Sequence, residues 1–180
     1  MLSFKHITRF IAVLILVIST SAYSSQVSAA DIVVVDIQRL ETMSTAGKAL
    51  REKIKAKRDA LKAEVTKQEK VLTSERSKII EAQKKLSEKE LKAKVKAFES
   101  SYKDKQSKIA KKKTAFEKSA LEAHGKLRAE VVSVVGEIST TNQYKLVLSR
   151  QNVVIVEKTL DITAEAMKKL NAKVKSIPLK

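Results

Sequence analysis

The chain has 180 residues, and its 37 lysines and arginines against 20 aspartates and glutamates give a formal net charge of +17. The absence of cysteine excludes a disulfide scaffold, a Cys-ligated zinc site and a thiol nucleophile. With 3 glycines and 1 proline the chain is neither collagen-like nor a Gly/Pro-rich disordered protein. Two histidines leave little material for a histidine metal site or a catalytic triad, so the composition argues against an enzyme.

The beginning of the chain has the pattern of a secretory signal peptide. Basic residues precede the unbroken apolar run 10–18, and a small-residue stretch follows it. We expect residues 1–29 to be removed, with cleavage after Ala29 or Ala30 and Ala22 as a second option. The alternative is an uncleaved membrane anchor, but the run is about half of the ~20 residues that a membrane-spanning helix needs. The mature chain then carries a net charge of +15.

A short strand leads into a long helical segment. Residues 32–37 (IVVVDI) form a β-branched run that predicts a strand. Residues 48–135 contain no proline and one glycine, and they are rich in Ala, Lys, Glu and Leu, which favour helices. We therefore expect this segment to form an arm that projects from a smaller body.

Apolar residues in the arm recur with the heptad spacing that is typical of a coiled coil. In the first half, position a holds Val65, Leu72, Ile79 and Leu86, and position d holds Ile54, Leu61 and Ala82. In the second half, position a holds Val95, Tyr102, Ile109 and Phe116, and position d holds Leu91 and Phe98. Polar residues such as Glu75, Lys105 and Lys112 interrupt the d positions, so we expect a thinly packed seam that is flexible toward its tip.

Local signals place a reversal of the arm near residues 84–90. Ser87 followed by Glu90 has the spacing of a capping box, in which Ser87 is the N-cap and Glu90 is at N3. A single continuous helix through Ser87 is the alternative. We favour the turn because an antiparallel hairpin buries its own seam.

Most of the excess positive charge lies on the arm. Residues 48–135 contain 26 basic and 13 acidic groups. Positive surfaces speed encounter with acidic partners. The densest cluster is Lys103, Lys105, Lys108, Lys111, Lys112 and Lys113, and the apolar candidates for client contact are Val95, Phe98, Tyr102, Ile109 and Phe116. The alternative readings are a solvated helix face for the lysines and ordinary seam packing for the apolar residues.

The two ends of the chain, residues 31–47 and 136–180, are predicted to form a small β body. Residues 144–149 (YKLVLS) and 153–157 (VVIVE) are predicted as strands that pair as a hairpin, with the turn at 150–152. Thr163 is predicted to cap a C-terminal helix over 164–173. The predicted oligomer contacts are Val33, Val35, Leu146, Leu148, Val153 and Ile155.

This body is too small to be stable alone, and its apolar strands leave edges open for pairing between chains. The predicted fold class is α+β, mostly α: a long antiparallel helical coiled-coil hairpin on a small β body that is completed by oligomerisation. These arguments leave the choice between dimer and trimer open.

The layout resembles the Skp/OmpH family of periplasmic chaperones of Gram-negative bacteria. The resemblance rests on the signal peptide, on IVVVDI, on the run 46–49 (AGKA), on residues 85–88 at the reversal, and on YKLVLS, VVIV and LDIT (160–163) near the end. It covers essentially the whole mature chain.

The resemblance implies a jellyfish-like homotrimer whose strands form a joint β-barrel and whose arms enclose a cavity. It also implies an ATP-independent holdase that keeps unfolded outer-membrane proteins soluble in the periplasm, without a cofactor or a metal. Some relatives are reported to bind lipopolysaccharide, and anionic lipid surfaces have similar charge. No residue of this chain is assigned to such a site.

Other functions fit the sequence less well. A structural coiled-coil protein of the envelope, without client binding, is the main alternative, and it predicts continuous hydrophobic heptads. A nucleic-acid binder would fit the charge, but the chain lacks aromatic stacking platforms and is exported. A membrane-surface binder would need a Trp/Phe-rich apolar face. An enzyme would need catalytic residues, and no phosphate-binding loop or nucleophile–base pair is present.

Overall fold

The computed structural model describes residues 32–180, so the predicted signal peptide lies outside the described residues. The elements in chain order are β1 (Ile32–Val35), α1 (Ile37–Met43), α2 (Thr45–Ala82), α3 (Glu88–Asn142), β2 (Leu146–Ser149) and α4 (Thr163–Lys173), with 3-10 turns at Arg150–Asn152 and Lys158–Leu160 between β2 and α4. The described fold is mostly helical, with two long helices and a small two-stranded sheet.

A capping box separates the two long helices, as the sequence predicts. The helix α2 ends at Ala82. The Ser87 hydroxyl oxygen accepts a hydrogen bond from the Glu90 main-chain N–H, and the Glu90 carboxylate accepts one from the Ser87 N–H at 3.0 Å. Together these bonds satisfy two of the amide groups that a helix start leaves unpaired.

The helices α2 and α3 pack against each other. The residues that this packing buries match the predicted heptad positions better on α2 than on α3. Each a and d position of α2 from Leu61 to Ala82 is buried or half-buried. On α3, Phe98 is half-buried, but the a-position residues Val95 and Tyr102 are 38% and 44% exposed. The outer part of α3 is therefore rotated relative to the predicted register, so that these two side chains lie at the edge of the contact.

The sheet differs from the prediction. The strands β1 and β2 pair in parallel, with Ile32 opposite Leu146 and Val35 opposite Ser149. Parallel strands require a long crossover, and α1 to α3 provide it. The predicted hairpin between 144–149 and 153–157 is wrong.

Residues 153–157 do not form a strand. The 3-10 turn Arg150–Asn152 follows β2 directly, and the Arg150 guanidinium donates a hydrogen bond of 2.8 Å to the Val153 carbonyl. The chain therefore does not return along the edge of β2.

Two helices of the body begin at residues other than the predicted ones, and a side-chain hydrogen bond lies at each of these places. Asp36, predicted inside the first strand, is the N-cap of α1 and accepts a hydrogen bond of 2.8 Å from the Arg39 N–H, so Ile37 is helical. Thr163, predicted as a cap, is the first residue of α4. Its hydroxyl oxygen accepts a hydrogen bond of 2.9 Å from the Asp36 N–H and so joins α4 to the end of β1.

The buried residues form two clusters. The first lies in the body and joins one face of the sheet to α1, the end of α3 and α4. Its fully buried members include Leu40, Val131, Val134 and Leu170. The second lies at the base of the arm, where Leu50 and Leu127 pack with Ile177. Residues 174–180 therefore pack against the arm, which the sequence analysis does not predict.

Candidate functional site

The six predicted arm lysines are in two different environments. Lys105 and Lys112 lie on the side of α3 that faces α2, where Lys105 forms an ion pair of 3.0 Å with Glu75 and Lys112 pairs with Glu64. The side chain of Lys105 is only 22% exposed. These two lysines join the helices of the arm and have part of their charge neutralised.

The other four lysines extend into solvent. Among residues 32–180, no ion pair is formed by Lys103, Lys108, Lys111 or Lys113, and all four are exposed. Because an α-helix turns about 100° per residue, these positions are spread around the helix and do not share one face. The free lysines therefore surround this part of α3 with positive charge, rather than forming a flat patch.

The apolar candidates on the arm form a shallow, discontinuous surface. Phe98, Ile109 and Phe116 are half-buried, whereas Val95 and Tyr102 are exposed. The rings of Phe98 and Tyr102 lie 6.3 Å apart between centroids and are tilted by 35°. With Leu72 they line an open groove of about 580 Å³, whose other lining residues are Thr73, Arg76, Glu99 and Lys103.

The predicted oligomer contacts of the body are also divided between two environments. Val33 and Val35 are 2% exposed and pack in the body cluster of this chain. Leu148 and Val153 are half-buried, whereas Leu146 is 47% and Ile155 88% exposed.

Side chains alternate between the two faces of a strand. Val33 and Val35 therefore face the core, and Ile32 and Leu146 lie on the opposite face, which is exposed at this end but buried at Val34. Within residues 32–180, β2 has no second neighbouring strand.

Sequence reasoning missed several exposed apolar side chains. Val154 is 93% exposed beside Ile155, although the predicted strand would have paired it. Leu121 and Val132 on α3 are 76% and 56% exposed. The β-branched run 153–156 signals an apolar segment, but the run by itself does not show that the segment has no partner within the chain.

An ion-pair network fixes α4 against α3. The Glu137 carboxylate accepts a hydrogen bond of 2.7 Å from the Lys173 ammonium and also pairs with Lys169 at 3.0 Å. These bonds, first that of Lys173 and then that of Lys169, lower the pKa of Glu137 from 4.5 to about 2. The same carboxylate raises the pKa of Lys173. The pKa of Glu137 is lowered and that of Lys173 raised, so at neutral pH both groups of this pair are charged and the pair is intact.

Metal-binding and membrane-spanning features are absent from residues 32–180. No group of three or more His, Cys, Asp or Glu side chains in this part of the chain is arranged to hold a metal ion. No helix in the same residues has the length and apolar character that crossing a membrane requires.

Comparison with known proteins identifies a family and a fold. A family model described as outer membrane protein (OmpH-like) matches residues 31–170. No curated protein matches the sequence. The crystal structure of a Caulobacter crescentus CB15 protein, named as an outer membrane chaperone (OmpH-like), aligns with a TM-score of 0.69. It has 17% sequence identity and covers 82% of this chain and 88% of its own, so this likeness shows the fold.

Proposed function

The chain belongs to the OmpH-like family, and from this premise we propose that it is an ATP-independent chaperone of the Gram-negative periplasm that holds unfolded outer-membrane proteins in solution. Export by a cleavable signal peptide is part of this proposal. The observation that carries it, beyond the family, is the surface of the arm, where free lysines alternate with small exposed apolar areas.

This surface suits a client without a fixed shape. The four free lysines around α3 extend in several directions, and Val95, Tyr102 and the groove beside Phe98 offer small apolar contacts. Many weak contacts of both kinds retain a chain without imposing one conformation on it. Long-range attraction by the positive arms raises the rate of encounter with acidic clients, and salt reduces this effect.

We also propose that the protein is a homotrimer joined through its body. The apolar outer face of the sheet, at Ile32 and Leu146, supports this part, as do the open edge of β2 and the exposed Val154 and Ile155. Open strand edges and exposed apolar side chains favour association between copies. Val33 and Val35 are excluded from this interface because they are buried within one chain.

Lipopolysaccharide and anionic lipid headgroups share the negative charge of acidic clients, and we include them as secondary partners on the basis of charge. Nucleic acid is not included, because the proposed location separates the protein from it.

The test of the proposal is protection of a client from aggregation. A urea-unfolded outer-membrane barrel is diluted to low denaturant with and without the mature protein, in the absence of ATP, and turbidity is followed. We expect the client to stay clear at a stoichiometric amount of protein and to aggregate when an unrelated basic helical protein replaces it. If the client aggregates equally in both, the proposal is wrong and a structural role in the envelope takes its place.

A further inference from the structure

The last residues of the chain lie in the cleft between the two long helices. The tail, residues 174–180, has no regular secondary structure. Ile177 is 4% exposed, and Val174 and Leu179 pack beside it against the cluster at the base of the arm. A non-helical segment with apolar side chains is therefore already bound between α2 and α3.

Hydrogen bonds to its main chain add to this apolar packing. The Lys53 ammonium donates a hydrogen bond of 3.2 Å to the Ile177 carbonyl. The Ser119 hydroxyl donates one of 2.7 Å to the main-chain oxygen of Lys180, and the Lys57 ammonium donates to the same atom. Every residue type presents a main-chain carbonyl, so the Lys53 donor suits an extended polypeptide of almost any sequence.

Beyond the tail the same cleft remains open. A groove of about 490 Å³ begins at Lys180 and continues between the helices toward the tip. Its apolar lining includes the half-buried Leu61 and Phe116, with the exposed alanines Ala60 and Ala115 beside them.

The rim of this groove is positively charged. Three lysines and one acidic residue line it, but Lys112 pairs with that residue, Glu64, and Lys57 donates to the main-chain oxygen of Lys180, so the rim keeps a modest excess of positive charge. An occupant with carboxylates at its outer face would be attracted to this rim, whereas a basic occupant would be repelled.

We propose that this groove binds an extended stretch of unfolded polypeptide in which apolar side chains alternate with acidic ones. Successive side chains of an extended chain point to opposite sides, so apolar ones enter between Leu61 and Phe116 while the acidic ones face the rim lysines. Strands of outer-membrane barrels have this alternation of apolar and polar residues. The inference rests on the proposed holdase function and assigns part of it to one site on each arm.

The first test is site-specific crosslinking during client capture. A photoreactive phenylalanine analogue replaces Ala60 or Ala115 in the lining, and Ala110 serves as the matched control because it is exposed on α3 and does not line the groove. Both substituted alanines are exposed, so the larger side chain is expected to leave the fold unchanged, and agreement between the two positions checks this. With an unfolded outer-membrane barrel as client, we expect several-fold more adduct from positions 60 and 115 than from position 110.

The second test measures the chemistry of the occupant. A short fluorescent peptide of alternating leucine and glutamate is titrated with the protein, and a counterpart with lysine in place of glutamate is the control. We expect tighter binding of the glutamate peptide at low salt, with the difference shrinking as salt rises. Equal affinities for the two peptides would overturn the assigned charge preference.

The crosslinking and aggregation results together distinguish failure of the groove proposal from failure of the holdase proposal. A client that stays soluble but reacts no more at positions 60 and 115 than at position 110 overturns the groove and leaves the holdase proposal standing. A client that aggregates despite the wild-type protein overturns the holdase proposal and this inference with it.

Discussion

The Lys105 ammonium lies 3.0 Å from the Glu75 carboxylate and joins the two long helices across 30 residues of sequence. Both residues are at d positions of the heptad pattern, where each interrupts the apolar row of its own helix. In the folded arm the two interruptions lie opposite each other and pair. The polar positions therefore help to align α2 with α3, although they reduce the apolar area between them.

We predict a small, salt-sensitive coupling between Glu75 and Lys105. In a double-mutant cycle with Glu75→Ala and Lys105→Ala, we expect a coupling of about 0.2–1 kcal/mol, because partly exposed pairs rarely contribute more. Thermal unfolding at low and high salt measures it. Lys108→Ala is the control, since Lys108 is exposed without an ion pair among the described residues. A coupling that is zero at low salt would contradict the assigned role.

We predict that Gly47→Ala destabilises the protein although alanine is the better helix former. A Cβ atom at Gly47 would lie 2.0 Å from the Glu41 carbonyl oxygen, a main-chain atom that cannot move by itself. Such overpacking typically costs about 1–3 kcal/mol, which outweighs the gain in helix propensity.

The matched control is Gly125→Ala, because a Cβ atom there meets nothing within 4 Å. We expect this variant to be more stable than wild type by about 0.5–1 kcal/mol. Chemical denaturation of both variants is the measurement. Gains of stability in both would show that the close approach at Gly47 is relaxed in solution.

We predict that Glu137 makes stability depend on pH in acid. Its pKa is lowered from 4.5 to about 2 by Lys173 and Lys169, so its contribution to stability is fully present above pH 4.5 and is lost as the pH falls toward 2. Glu137→Gln should lower the Tm at neutral pH and show a smaller loss of Tm through that window than wild type.

The control for this experiment is Glu122→Gln, which changes an exposed carboxylate on the same helix that has no ion pair among residues 32–180. It should keep the wild-type Tm at neutral pH. An acid transition that is unaltered in Glu137→Gln would show that other groups determine it.

We predict that Val154→Asp with Ile155→Asp dissociates the oligomer while each chain stays folded. Both side chains are almost fully exposed in the single chain, so the carboxylates cost little there but would be buried in an assembled body. Light scattering gives the mass and circular dichroism the helix content. Leu121→Asp is the control, because this residue is 76% exposed on α3. An unchanged oligomer mass in the double variant would exclude this segment from the interface.

We predict that reversing the free lysines slows client capture. Lys103, Lys108, Lys111 and Lys113 change to Glu in one variant, which leaves the pairs of Lys105 and Lys112 intact. The rate of capture of an acidic client by stopped-flow fluorescence should fall at low salt and lose most of its salt dependence. A capture rate at low salt equal to that of wild type would show that long-range charge attraction has no part in the mechanism.

Local sequence signals predicted the helices of this fold better than they predicted its sheet. The capping box at Ser87 and Glu90 depends on residues three apart, and the long helices follow from composition and the absence of proline. The pairing of β1 with β2 joins residues more than 100 positions apart. No local pattern specifies such a partner, so the sequence alone predicts pairing with the adjacent run 153–157 instead.

The candidate site was predictable only in part for a similar reason. The cluster of lysines is visible in the sequence, but which of them pair with Glu64 and Glu75 depends on how α3 is rotated against α2. The same rotation of α3 leaves the Tyr102 side chain exposed. The tail has too few apolar residues to show a period, so the burial of Ile177 between the helices emerges only from the three-dimensional structure.

The mass of the protein with and without a client tests the central claim most directly. The mature protein is run on a sizing column with light-scattering detection, alone and after an unfolded outer-membrane barrel has been diluted into it. The proposal predicts a mass of three chains that rises by the mass of one client, with the client soluble. A protein whose mass stays the same while the client aggregates would contradict the account, and a monomer would contradict the proposed body.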